Sequence, residues 1–337
     1  MRRSPVLSRL CLLIAALLLN AGCGGTPSPM SGGVVAGYHV VADVPLPGDT
    51  SRWDYESLDT IQGHLYIAHL GSGEVVVVDV THQKVIGVVE HVPGVHGVLA
   101  VPDLNRVFAT ASDVHQLVAI DSRSLRVVAS APAGSYPDGI AYAPESGKLF
   151  VSDEHGDGDV VVDAATTKVT GTVRLGGDIG NTKYDPVSHL MVVAVGASND
   201  LVSVDPQSGD VLARDKLDNC DGAHGVQLTS SPHLAFVGCE GNSAVIVFDL
   251  AMHRSIGRLN VGTTPDVLAY DPALHIVFVA CEDGTLDAIQ VGEHPRLLAG
   301  GNAGPGAHSV TVDPATHRLY LPLTDVGGHP VLRVLSP

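Results

Sequence analysis

The stretch "AHSVTVDPATHRLYLP" (307–322) decides the fold, because its outline returns six more times upstream. The other copies are "PDVLAYDPALHIVFVA" (265–280), "AHGVQLTSSPHLAFVG" (223–238), "IGNTKYDPVSHLMVVA" (179–194), "PDGIAYAPESGKLFVS" (137–152), "VHGVLAVPDLNRVFAT" (95–110) and "WDYESLDTIQGHLYIA" (53–68). Each copy has a small or polar entry residue, a short apolar run, a turn and a second apolar run. The second residues are Asp54, His96, Asp138, Gly180, His224, Asp266 and His308, spaced 42, 42, 42, 44, 42 and 42 apart. Asp79, Asp121, Asp163, Asp205 and Asp249 end further apolar runs at steps of 42, 42, 42 and 44. A period of about 40–45 residues is the length of one four-stranded propeller blade.

The runs themselves read as strands. "EVVVVDV", "QLVAID", "DVVVDA", "DLVSVD" and "AVIVFDL" are short, rich in Val and bounded by Asp, Gly or Ser. No segment keeps a helical period for three turns. Many runs are apolar on both faces, as strands must be when each sheet is sandwiched between two others. Seven repeats therefore predict an all-β, seven-bladed β-propeller over residues 37–337. The last repeat ends at "PVLRVLSP" without a full outer strand, and "GYHVVADVPL" (37–46) is a spare strand before the first. Pairing the two closes the ring and covers an open sheet edge.

The first residues are read as a leader. "MRRSPVLSRL" carries Arg2, Arg3 and Arg9, and "CLLIAALLLNAG" is an apolar run of signal-peptide length, too short for a membrane span. Residues 1–22 are therefore expected to be removed on export. "LNAGC" resembles the lipobox of bacterial lipoproteins, with Cys23 as the acylated residue, although Asn20 stands where that motif is usually apolar. Ordinary cleavage after a small residue is the alternative. Residues 23–36, rich in Gly, Pro and Ser, read as the lipid-anchor cysteine followed by a flexible tether. The expected location is the membrane surface, facing the periplasm or the cell exterior, with the lipid as the chain's contact with the membrane.

The formal charge is −17, and the leader holds three of the 19 basic residues but none of the 36 acidic ones. With no basic cluster after the leader, nucleic acid is excluded as an expected partner. The acidity favours solubility and attracts cations. The expected partner is a small molecule or a protein, bound by a monomer.

Placing the repeats in a ring brings the entry residues to one mouth of the central channel. In blade order they read Asp, His, Asp, Gly, His, Asp, His, and His96, His224 and His308 are spread as evenly as three positions in seven can be. Three imidazoles on an axis are candidate ligands for a divalent transition metal. Asp54, Asp138 and Asp266 between them are candidate ligand-binding groups that could orient the imidazoles or act as a base. The alternative is a polar lining in which entry residues cap loops and histidines pair with aspartates. Glu56, two residues past the first entry position, meets mainly apolar counterparts in other blades and joins the ligand-binding candidates.

Antiparallel pairing returns the end of each second strand to the mouth as a second layer: His69, Asp153, Glu154, Cys239, Glu240, Cys281 and Glu282. "DEHGDGD" (153–159) has the acidity of a Ca²⁺ loop without its spacing, and reads as a solvated turn. His64, His189, His233, His275 and His317 fall between first and second strands and read as surface residues. Once Cys11 and Cys23 are set aside, Cys220, Cys239 and Cys281 leave room for one disulfide. The same strand geometry favours Cys220–Cys239, with Cys239–Cys281 as the alternative. The sequence holds no nucleophile elbow, P-loop, dinucleotide fingerprint or haem-attachment motif. Low aromatic content argues against a stacking platform for sugars or bases.

"SRWDYESLD" (51–59), "GVHGVLAVP" (94–102), "YPDGIAYAP" (136–144), "FVGCEGN" (236–242) and "HRLYLPLTD" (317–325) resemble the YVTN-repeat, YncE-like seven-bladed propellers. The resemblance spans residues 37–337. It implies the propeller fold, export and a binding role, and cysteines at the places of Cys220 and Cys239. The chain departs at strand ends that often read "YVTN" in that family, where it has "YIAH", "FVSD", "FVGC" and "FVAC". Metal-dependent lactonases and hydrolases also occur among seven-bladed propellers, which makes such an enzyme at the mouth the alternative function. No motif here matches theirs residue by residue.

Overall fold

The computed structural model describes residues 35–337. The expected leader, Cys23 and the tether up to residue 34 lie outside them. The described chain forms seven antiparallel sheets of four strands each. Within every blade up to the sixth the strands pair in chain order, from an inner strand at the axis to an outer one. In blade five these strands are Ala223–Ser230, His233–Cys239, Ala244–Asp249 and Arg254–Asn260. No helix among the described residues is long and apolar enough to cross a membrane.

Burial follows the sequence pattern. The second strand of blade five is buried almost throughout, while its outer strand alternates between exposed and half-buried residues. Middle strands are covered on both faces by neighbouring blades and therefore read as continuous apolar runs. The described core divides into seven apolar clusters, each joining two adjacent blades around the ring. One position recurs through these clusters: Tyr66, Phe108, Phe150, Val192, Phe236, Phe278 and Tyr320, all buried at 0–1% exposure. The few aromatic rings of this chain are thus placed as wedges, one in most second strands.

The recurrent aspartates have a local cause. Asp79 Oδ1 accepts the backbone N–H groups of Thr81 and His82, and Asp249 Oδ1 those of Ala251 and Met252. Asp59, Asp185 and Asp271 do the same at turns after inner strands. The side chain folds back on the turn and satisfies donors that no strand partner reaches. The next left-handed position is filled by His189, His275 or His317 at φ of 61°, 55° and 60°.

Blade seven closes the ring as expected. Its strands Thr311–Val312, Leu319–Leu323 and Val331–Ser336 come from the C-terminus, and His39–Pro45 supplies the outer strand. The register runs from His39 opposite Ser336 to Pro45 opposite Val331. Arg333 fixes it by donating from Nε and Nη2 to the two carboxylate oxygens of Asp43, at 2.9 and 2.7 Å. The packed chain starts before this strand: Val35 bridges to Tyr38, and both are buried against blades six and seven. Val35, read in the sequence as the end of the tether, is a core residue.

Candidate functional site at the channel mouth

The mouth is built by a repeated defect in the inner strands. In blades two to six the pairing with the second strand skips two residues, between Val95 and Val98, Pro137 and Ile140, Ile179 and Thr182, Ala223 and Val226, and Pro265 and Leu268. The first skipped residue in each is an entry residue. Release from the ladder re-aims its side chain, as bulges do, and His96, Asp138, His224 and Asp266 line one cavity of about 340 Å³. Glycines follow because the inner strands crowd together. A Cβ on Gly97 would collide with the Asp138 carbonyl, and one on Gly225 with the Asp266 carbonyl. Gly180 leaves blade four without a mouth side chain, since a Cβ there would lie 2.6 Å from His224 Cα.

The three histidines come to one mouth but not to one point. Each sits in its own group with two carboxylates: His308 with Asp54 and Asp266, His96 with Asp54 and Asp138, His224 with Glu240 and Asp266. Their hydrogen bonds give them different states. His308 Nδ1 lies 2.8 Å from Asp266 Oδ2, and its Nε2 lies 2.8 Å from the Trp53 carbonyl. Both partners accept, so both ring nitrogens donate and the ring is a cation with no lone pair to offer. Burial opposes that charge, but the hydrogen bond and charge of Asp266 outweigh it, and the pKa is pushed up to about 9. His224 likewise rises to about 9: burial opposes it, and the carboxylates of Asp266, Glu240, Asp138 and Glu154 prevail.

His96 differs. Its Nδ1 donates to the Gly94 carbonyl at 2.8 Å, so in the neutral ring the lone pair is on Nε2. That nitrogen accepts from the Tyr136 hydroxyl at 2.9 Å and lies 4.0 Å from Asp54 Oδ2. Around it the carboxylates repel one another. Asp54 is pushed up to about 7, first by burial and then by Asp138 and Asp266, against His308 and His96. Asp138 is also raised by burial, with Asp266 adding to it. Asp266 goes the other way: burial raises it, but His308, His224 and Arg52 hold it below the usual range. Arg52 bridges to Glu282 at 2.8 Å and stands 3.8 Å from Asp266. Glu154 and Glu240 stand at the rim, both raised by burial.

Tyr55 forms the floor of the mouth and lines a second chamber beneath it. Its hydroxyl donates to Asp138 Oδ2 at 3.2 Å and accepts from Asn181 Nδ2 at 2.8 Å. Tyr55, Tyr136, Asn181 and Arg52 were not singled out from sequence. Tyr55 had a usable signal: its position is Gly in blades two, three and five, so a bulky phenol there fills space the other blades leave empty.

The remaining candidates disperse. Glu56 lies in the lower chamber, not the mouth, and burial raises its carboxyl well above the ordinary range. Asp153 turns away from the channel to accept the N–H groups of Ser135 and Tyr136, Asp157 pairs with Arg174, and Asp159 accepts from Thr182. The acids of 153–159 thus serve three different partners, and Asp153 and Asp159 are buried where a solvated turn was expected. His69 stacks on Trp53 with centroids 3.8 Å apart. Ser51 Oγ and Asp49 Oδ1 both approach His69 Nε2, at 3.1 and 3.7 Å, while Nδ1 is buried without a partner. This has the composition of a Ser–His–Asp triad without its wiring, which needs the acid on the opposite ring nitrogen. Cys220 and Cys239 form a disulfide with Cα atoms 5.4 Å apart. Cys281 is a free, buried thiol whose pKa is raised by burial.

No family model matches the chain, and no curated protein matches it. Solved structures do. Hydrazine synthase of Kuenenia stuttgartiensis superposes with a TM-score of 0.73 at 15% identity, covering 86% of this chain and 97% of that one. The WD40 repeats of RRP9 superpose with a TM-score of 0.75 at 11% identity, covering 88% and 96%. Likeness at such identities carries the architecture alone, and with the seven closed sheets it makes this chain a seven-bladed β-propeller.

Proposed function

We propose that the protein is an exported, lipid-anchored binding propeller of the YncE-like kind, and that its mouth captures a divalent transition metal through Asp54, His96 and Asp138. One observation carries the metal reading. Asp54 and Asp138 are buried beside the same imidazole nitrogen; burial raises both, Asp138 and Asp266 add to the rise of Asp54, and Asp266 adds to that of Asp138. A cation between them relieves that repulsion, and one imidazole with two carboxylates is a donor set for such a metal. Tyr136, hydrogen-bonded to the same nitrogen, would turn aside or join the outer sphere. The leader, the lipobox-like "LNAGC" and the Cys220–Cys239 disulfide support export to an oxidising compartment.

A calorimetric titration of Zn²⁺, Cu²⁺ and Ni²⁺ into metal-stripped protein without a histidine tag tests this reading. One site is expected for the parent. His96→Ala and Asp138→Ala should each weaken it about 100-fold, since a three-ligand site tolerates the loss of a ligand poorly. His317→Ala, at the other end of the strands, should bind as the parent does. A parent without a saturable site would refute the metal reading and leave the binding propeller.

A second reading, metal-dependent hydrolysis, rests on Glu154 and Glu240, whose raised carboxyls stand over the same cavity as general acids or bases require. Turnover of simple esters or lactones by the metal-loaded protein, lost in Glu154→Gln, would favour it. The propeller fold itself serves either end.

A further inference from the structure

Beneath Tyr55 the channel widens into a second chamber of about 430 Å³. It runs from Tyr55 and Asn181 to an opposite rim where Thr60, Pro272 and Pro314 stand in the turns after three inner strands. Its volume falls within the range of about 300–1,000 Å³ usual for small-molecule sites.

Most polar groups of its wall already have protein partners. Ser57 Oγ accepts the Ala100 N–H at 3.0 Å, Thr182 Oγ1 donates to Asp159 at 2.8 Å, and Gln227 Nε2 donates to the Leu228 carbonyl at 2.9 Å. Asn181 is committed to Tyr55. Two groups stand apart. Both oxygens of Glu56 are shielded from solvent without a hydrogen bond, and Thr311, the nearest donor, falls short of hydrogen-bond geometry. The Lys183 ammonium makes no ion pair and no hydrogen bond, with Glu56 or any other described residue. Lys183 comes from the inner strand Ile179–Asp185 of blade four, at a position that is uncharged in the other six blades (Ser57, Leu99, Ala141, Gln227, Ala269 and Thr311). Nothing in the blade architecture calls for a cation there. Lys183 is half-buried in the chamber wall, and desolvation there disfavours its charge unless a ligand supplies a counter-charge. Because the Glu56 oxygens are turned into the wall, Lys183 sets the charge that the chamber presents.

We propose that this lower chamber is a second binding site, separate from the mouth, for a small carboxylate-bearing molecule whose carboxylate pairs with Lys183. The apolar part of such a ligand has Val267, Leu268 and Val310 to lie against. Entry is from the face opposite the mouth, because Tyr55 blocks the way from above.

The test uses acetate, succinate and benzoate as probes, titrated calorimetrically into the parent, Lys183→Met and His96→Ala. The parent should bind at least one of them saturably. Lys183→Met should lose about tenfold to a hundredfold in affinity, the worth of a hydrogen bond to a charged group. His96→Ala, whose partners Gly94 and Tyr136 lie outside the lower chamber, should bind within about twofold of the parent, so failure here and failure of the metal reading are separable. The chain has five lysines (Lys84, Lys148, Lys168, Lys183 and Lys216). Carbon-13 methylation of the parent therefore gives a readout that needs no folded variant. One lysine resonance should shift saturably with carboxylate and not with chloride. Absence of saturable binding by all three probes, equal binding by Lys183→Met, or uniform movement of all five resonances would overturn the proposal.

Discussion

The two ends of the channel use the same residue types to opposite effect. At the lower face, three histidines each pair with one carboxylate of the neighbouring blade. His233 meets Asp185 at 2.8 Å, His317 meets Asp271 at 2.7 Å, and His189 meets Glu145 at 2.8 Å. Asp185 and Asp271 also accept the N–H groups of their own turns, so each charge is fully engaged. At the mouth, six carboxylates gather about three imidazoles and Arg52, and Asp54, Asp138, Glu154 and Glu240 are left raised, first by burial and then by neighbouring carboxylates. What separates the two ends is the balance of charge, even in these lower pairs and in excess of acid at the mouth, not which residue types are present.

The sharpest way to break this comparison is to remove one aspartate from each end. Asp271→Ala leaves the turn N–H groups of Ala273 and Leu274 and the His317 ring without their acceptor, and should cost about 2 kcal/mol in a denaturant titration. Asp138→Asn relieves repulsion at the mouth, and should leave the fold unchanged or more stable by about 1 kcal/mol at pH 8. A large loss at both ends would erase the distinction.

The pH dependence should differ in sign. Asp185 is held below its ordinary pKa: burial raises it, but Ser188, the Val187 N–H and His233 outweigh burial. Its stabilisation is present above the ordinary carboxylate range and is lost as pH falls through its folded value. Asp54, raised to about 7, works in reverse. It favours the folded state as pH falls from 7 toward 4, and disfavours it once ionised. His308 and His224, raised to about 9, contribute fully below the free imidazole range and lose that contribution as pH rises through 9. Thermal melts of the parent and Asp54→Asn between pH 4 and 10 check this, with a flatter profile between 4 and 7 expected for the variant. The smallest effect belongs to His317→Ala. Loss of its half-buried ring leaves Asp271 with its turn donors, and a loss of about 1 kcal/mol is expected by chemical denaturation.

The ring and its closure were legible because a period of 42 residues records the blade directly, and the missing outer strand could be counted. The mouth was legible as a list of entry residues for the same reason. Its chemistry was not. That His308 gives both nitrogens to Asp266 and Trp53, while His96 keeps one free, depends on contacts 42 and 255 residues apart for the first and on the Gly94 carbonyl for the second. No spacing rule carries that information. The surface reading of His233 and His317 failed similarly, because their partners belong to the neighbouring blade.

In the proposed mouth site one imidazole, from His96, serves the metal, and X-ray absorption at the zinc edge of the loaded parent counts the imidazoles. A shell of oxygen donors with the multiple-scattering signature of one imidazole is expected, lost in His96→Ala. Two or three imidazoles in that shell, or a signal indifferent to His96→Ala, would contradict it.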